Sequence, residues 1–112
     1  MKKKIENIIL KRFLSQQVKT LHIIKFEKKY LDQAVISESN LIGANFNNAK
    51  IANSRIRLSD LTNSTFIHAD MNTTLIEDSN FTNANLTEIN LVSATIINSN
   101  FISTRYFIKL KH

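Results

Sequence analysis

The sequence predicts a solenoid, a chain wound in short equal segments around one apolar axis. Two observations predict it. From Ala34 onward a large apolar residue recurs at every fifth position without a break, and two positions before all but one of them lies a small residue. A helix face needs a period of 3.6 and a half-buried strand a period of 2, so neither explains a period of five. Composition then bounds size and chemistry. The 112 residues contain no Pro, no Cys, no Trp and one Gly, with 15 Lys+Arg against 9 Asp+Glu. This length allows one small domain.

The large positions are Ile36, Leu41, Phe46, Ile51, Ile56, Leu61, Phe66, Met71, Ile76, Phe81, Leu86, Leu91, Ile96, Phe101 and Tyr106. The small position is Ala, Ser or Thr in fourteen of fifteen fives, Ile89 being the exception. The geometric reading is direct. The chain turns a corner every five residues, the large side chain points to a common axis, and the small one also faces inward where only a small group fits. The remaining positions are rich in Asn, Asp, Ser and Thr, whose side chains bond nearby backbone groups in tight turns.

The segments Ala44–Phe46 (ANF), Ser59–Leu61 (SDL), Ala69–Met71 (ADM), Ser79–Phe81 (SNF) and Ala84–Leu86 (ANL) resemble the motif of the pentapeptide-repeat family, a small residue, then Asp or Asn, then Leu or Phe. The resemblance covers residues 34–108. It implies an all-β solenoid, specifically a right-handed quadrilateral β-helix with four fives per coil. Residues 20 apart should then stack. One side would read Ile36, Ile56, Ile76, Ile96 and the next Leu41, Leu61, Phe81, Phe101. The third would read Phe46, Phe66, Leu86, Tyr106 and the fourth Ile51, Met71, Leu91. Like falls on like. The body would rise about 4.8 Å per coil, the spacing of parallel strands.

Before the coils, residues 1–33 carry a net charge of +6. Ile5, Ile9 and Phe13, with Leu10, Leu14, Val18 and Leu21, lie at helical spacings. We read a basic amphipathic helix from about Lys3 to Thr20 and a short strand at Leu21–Phe26, together capping the open end of the solenoid. Leu21, Phe26 and Leu31 keep the five-residue phase, but Lys29 would occupy a small inward position, so the coils are expected to begin at residue 34. They are expected to run to 108, with 109–112 a tail. Residues 34–104 carry −3 and Arg105–His112 carry +3.

The composition excludes much chemistry. Without Cys there is no disulfide, no thiolate zinc site and no Cys nucleophile. Three scattered His residues have no metal-ligand spacing. One Gly excludes the Gly-rich phosphate loops. No apolar run approaches the roughly 20 residues of a membrane span. The N-terminal run is broken by Glu6, Asn7, Lys11 and Arg12, which makes a poor signal peptide. The chain therefore reads as cytoplasmic, and its wealth of Ile, Lys and Asn as that of a bacterium of low genomic GC. No catalytic residue, cofactor or metal is expected. Direct binding of nucleic acid is not expected either, since the basic N-terminal segment carries one aromatic, Phe13, and no base-reading motif.

His68 lies near Asp70, but Ser59 and Ser64 occupy the small inward row and should face away from it, so no triad is expected. Arg55 and Arg57 should point outward beside Ile56, where they are candidate partner contacts, with Glu77 one coil on. Four Asn-x-Thr/Ser sequons, at Asn63, Asn72, Asn80 and Asn85, fall out of the repeat itself. At the far end Tyr106, Phe107, Ile108 and Leu110 form an apolar run with no room for a cap, and an end-to-end homodimer is expected there. The resemblance points the same way.

The function expected is that of a non-catalytic binding or scaffold protein, presenting its β-helix faces to a protein partner. The function most specifically attached to the resembling family is protection of type II topoisomerases by DNA-mimicking quinolone-resistance proteins. It is the alternative. A DNA mimic needs dense rows of acid, because DNA carries one charge per ≈1.7 Å of axis, and this chain is net positive.

Overall fold

The computed structural model describes residues 25–106. The expected helix at Lys3–Thr20 lies outside them, as does most of the strand expected at Leu21–Phe26. What is described is a four-sided β-helix.

One side is a parallel sheet of four strands, β1 (Val35–Ser37), β2 (Arg55–Arg57), β3 (Leu75–Glu77) and β4 (Thr95–Ile97), in sequence order. Their registers pair Ile36 with Ile56, Ile56 with Ile76 and Ile76 with Ile96, each 20 residues apart. The other three sides are held by single parallel bridges with the same offset, such as Asn40↔Asp60, Asn45↔Thr65 and Lys50↔Asp70. The coil of 20 follows from this constant offset. Backbone bonds run along the axis: Phe46 N–H donates to Thr65 C=O at 2.7 Å, and Phe66 N–H to Asn85 C=O at 2.8 Å.

Both inward rows are where the period places them. Phe46, Phe66, Ile56 and Met71 have no exposed surface, and neither do Ala44 and Ala49 in the small row. The aromatic rings stack down the axis. Phe46 and Phe66 have centroids 4.6 Å apart and planes 6° from parallel, and Phe81 lies 4.8 Å from Phe101. One rung of rise separates stacked rings, so a flat stack fills the bore without gaps.

Each corner has one residue in the left-handed region, from Lys28 to Ser103 at intervals of five. The single Gly, Gly43, is at one of these corners with φ +75°. Asn holds five others, Asn48, Asn53, Asn63, Asn83 and Asn98, which suits a residue that tolerates this conformation. Most corners close with a turn bond from the small residue back to the large one, as in Ala44 N–H to Leu41 C=O at 3.0 Å. Asn or Asp just before the large residue then caps the following backbone. Asn45 Oδ1 accepts Asn47 N–H at 2.8 Å and Asn80 Oδ1 accepts Thr82 N–H at 2.9 Å.

The side carrying the four strands is built differently. Its second position is Val35, Arg55, Leu75 or Thr95, none of which supplies that cap, and the backbone stays extended for three residues. At its corner the small residue is Ser in every coil. Ser39 N–H donates to Ser59 Oγ, Ser59 N–H to Ser79 Oγ and Ser79 N–H to Ser99 Oγ, each at 3.2 Å. Each hydroxyl then donates to the carbonyl two residues earlier, as Ser59 Oγ does to Arg57 C=O at 2.9 Å. A column of serine hydroxyls thus occupies the place of the turn bond.

Two expectations differ from the structure. The coil geometry reaches back to Lys25, ahead of the boundary expected at residue 34. Lys25 and Tyr30 bridge to Asn45 and Lys50, Phe26 stacks on Phe46 at 4.9 Å, and Leu31 is fully buried. Lys29 is exposed and still joins the ladder, its carbonyl accepting Lys50 N–H at 2.9 Å. At the other end Leu91, Ile96 and Phe101, expected in the core, are partly or largely exposed, each having a neighbouring rung on one side only among the described residues.

Candidate functional site

The outward residues decide what such a body does, since the inward ones are spent on packing. His68 sits at a left-handed corner, and its Nδ1 lies 3.0 Å from Glu88 Oε1, one coil on. Both side chains are part-exposed, so the contact is a surface pair between rungs. Asp70 engages elsewhere, its Oδ1 accepting Asn72 N–H at 3.1 Å. Ser59 Oγ belongs to the serine column. Ser64 Oγ is buried without a hydrogen-bond partner. The hydroxyls thus serve corner and core, and the structure brings no base, nucleophile and orienting group together around His68. Among the described residues no group of three His, Asp or Glu side chains is placed to hold a metal ion.

Arg55 and Arg57 flank Ile56 on the strand side. Arg57 Nε donates to Glu77 Oε1 at 2.6 Å, an ion pair across one rung that the register Arg57↔Glu77 makes inevitable. It is part-exposed and so contributes about 1 kcal/mol or less. Arg55 is exposed and stands opposite Leu75, which brings no charge to it. Of the two arginines, Arg55 is therefore the one whose charge faces outward without that rung-to-rung pair.

Beside the serine column runs an open groove of about 880 Å³, lined by Glu38, Leu58, Asp60, Asp78, Asn80 and Asn98 among others. Glu38 and Asp78 hold the same corner position two coils apart, and Asp60 lies on the coil between them, two residues past that corner. The sequence reading missed this groove. The signal was there in the all-Ser column, which marks the one corner built without a turn bond.

At the C-terminal end Tyr106 is exposed. Phe107, Ile108 and Leu110, expected beside it in a dimer contact, lie outside the described residues. No helix among the described residues is long and apolar enough to cross a membrane.

The family model for pentapeptide repeats matches in eight copies, over residues 39–78 and 76–105. Among solved structures, a pentapeptide-repeat protein (Rfr23) from the cyanobacterium Cyanothece 51142 is similar at 17% identity. That match covers 93% of this chain and 88% of that one, with a TM-score of 0.35. No curated protein matches the chain.

Proposed function

Since the chain belongs to the pentapeptide-repeat family, we propose that it is a non-catalytic scaffold whose flat β-helix sides are presented to a protein partner. The observation that supports this is the state of its reactive groups. His68, Arg57, Ser59 and Asp70 are each engaged within the coil, while Arg55 stands exposed on the one side with a continuous sheet. A sheet side of regularly spaced side chains offers a rigid surface that orders little on binding, which favours affinity. Arg is also a residue enriched where partners bind.

The DNA-mimic alternative, directed at gyrase, requires unpaired acids in rows. Residues 34–104 carry six acids, and two of them, Glu77 and Glu88, are paired to Arg57 and His68. Two assays separate the readings. Pull-down from native lysate with the wild-type chain should recover a stoichiometric partner, and the Arg55→Glu chain should lose it. Quinolone should inhibit gyrase supercoiling equally with and without the chain. Retention by Arg55→Glu would remove this arginine from the interface, and protection of gyrase would establish the alternative.

A further inference from the structure

Charge is divided along the axis. Among the described residues, 25–57 hold six Lys and Arg against Glu27, Asp32 and Glu38, while 58–104 hold five acids and no Lys or Arg. Of the six cations, Arg57 is paired to Glu77 and Arg55 lies on the strand side. The other four, Lys25, Lys28, Lys29 and Lys50, gather at one corner over two consecutive coils. Lys28 is the left-handed residue of that corner, at φ 60°. Lys29 follows it, and Lys50 lies one coil on, its N–H donating to Lys29 C=O at 2.9 Å. Lys25 lies on the side leading into the corner and bridges to Asn45. All four are exposed, and none makes an ion pair among the described residues.

The same corner offers donors rather than acceptors. Asn45 Oδ1 accepts Asn47 N–H at 2.8 Å, and Asn47 Oδ1 accepts Ile67 N–H at 2.9 Å. Both residues are part-exposed, and their NH2 groups are left as donors. Glu27, exposed between Lys25 and Lys28, is the one acid set among the lysines.

We propose that this corner binds the phosphate backbone of duplex nucleic acid without reading its sequence. Phosphate oxygens take hydrogen bonds from Lys and Asn side chains, and such contacts place a protein on a duplex with no base readout. The lack of a base-reading motif is therefore no obstacle. Residue type decides against other anionic partners. Protein interfaces are depleted of Lys and enriched in Arg, and all four cations here are Lys. Docking on a lipid surface grows with the apolar area inserted, and the outward neighbours here are Asn45, Asn47 and Asn48. Single strands are held in grooves lined by stacking aromatics, and this is an outside corner. The acidic coils of 58–104 turn away from the phosphates, so the division of charge along the axis sets the orientation. Arg55 is on the next side of the coil, which stays open to the protein partner proposed above.

Fluorescence anisotropy of the full chain with two short DNA duplexes of unrelated sequence tests this. Both should bind equally at low salt. The slope of log K against log salt should be about −4, at roughly −0.9 for each phosphate neutralised. The quadruple variant Lys25→Gln, Lys28→Gln, Lys29→Gln, Lys50→Gln should keep the wild-type circular dichroism and bind at least about tenfold more weakly. Its slope should be smaller by about 3 to 4. Glu27→Gln removes the acid among the lysines and should tighten binding about twofold or more. Should the quadruple variant misfold, Lys50→Gln and Glu27→Gln give the same test in opposite directions. The proposal is overturned if the wild type does not bind or prefers one sequence. It is overturned if the folded quadruple variant binds as the wild type does, which would assign binding to residues 1–24. A single strand bound more tightly than the duplex would assign the corner to unpaired nucleic acid, and displacement of the duplex by poly-glutamate at equal charge would assign it to an acidic protein; either result overturns the proposal.

Discussion

Ser39 N–H donates to Ser59 Oγ at 3.2 Å, one coil away, and the Ser59 hydroxyl in turn donates a hydrogen bond to Arg57 C=O at 2.9 Å. This relay occupies the place of the turn bond that the other corners make. Ser59→Ala removes the hydroxyl that accepts the Ser39 N–H and bonds the Arg57 carbonyl, which costs about 1–3 kcal/mol. Ser64→Ala is the matched control, because Ser64 Oγ is equally buried and bonds nothing. Urea denaturation should show a clear loss of midpoint for Ser59→Ala and none, or a gain, for Ser64→Ala. Equal losses would mean that the serine column is not a hydrogen-bonded device.

Leu58 occupies a left-handed corner at φ 52° with its side chain half in water. An L-residue with a bulky side chain is strained there, at a cost of about 1–2 kcal/mol, and Asn, which fills other corners of this chain, is less so. Leu58→Asn should therefore stabilise by about 1 kcal/mol and raise the thermal midpoint by about 4–8 °C. A lowered midpoint would show that Leu58 is held by packing in the groove.

Phe66 stacks on Phe46 at 4.6 Å and has no exposed surface. Phe66→Asp places a charge with no partner in the bore, and the several kcal/mol this costs exceed what a small domain has to spare. The variant should be insoluble or unfolded by circular dichroism. A soluble chain with wild-type β signal would mean that Phe66 does not lie on the axis.

His68→Ala removes a part-exposed contact with Glu88. It should shift stability by about 0.5 kcal/mol or less, as expected for an exposed pair, and leave partner capture intact. Loss of capture by a folded His68→Ala chain would place His68 in the interface.

How much of this was legible beforehand follows from which residues carry it. Phe46, Phe66 and Ile56 were legible because a large apolar side chain every fifth residue has one geometric solution, and the offset of 20 followed from Ile36, Ile56, Ile76 and Ile96 falling in one row. The start of the coils was not. Lys29 argued against extending them, since a long charged side chain does not fit a small inward site. In the first described rung it does not have to, and Lys29 is exposed. The serine column was visible as composition, but its purpose depends on one corner lacking a turn bond, which only the backbone reveals.

The central claim is that backbone bonds join residues about one coil of 20 apart. Scalar coupling through a hydrogen bond measures this directly. In a chain labelled with ¹⁵N and ¹³C, the Phe66 amide nitrogen should couple to the Asn85 carbonyl carbon, across the 2.8 Å bond, and Phe46 to Thr65 across 2.7 Å. Coupling of Phe66 to the Thr62 carbonyl, as in a helix, or to any residue outside the neighbouring coil, would contradict the β-helix.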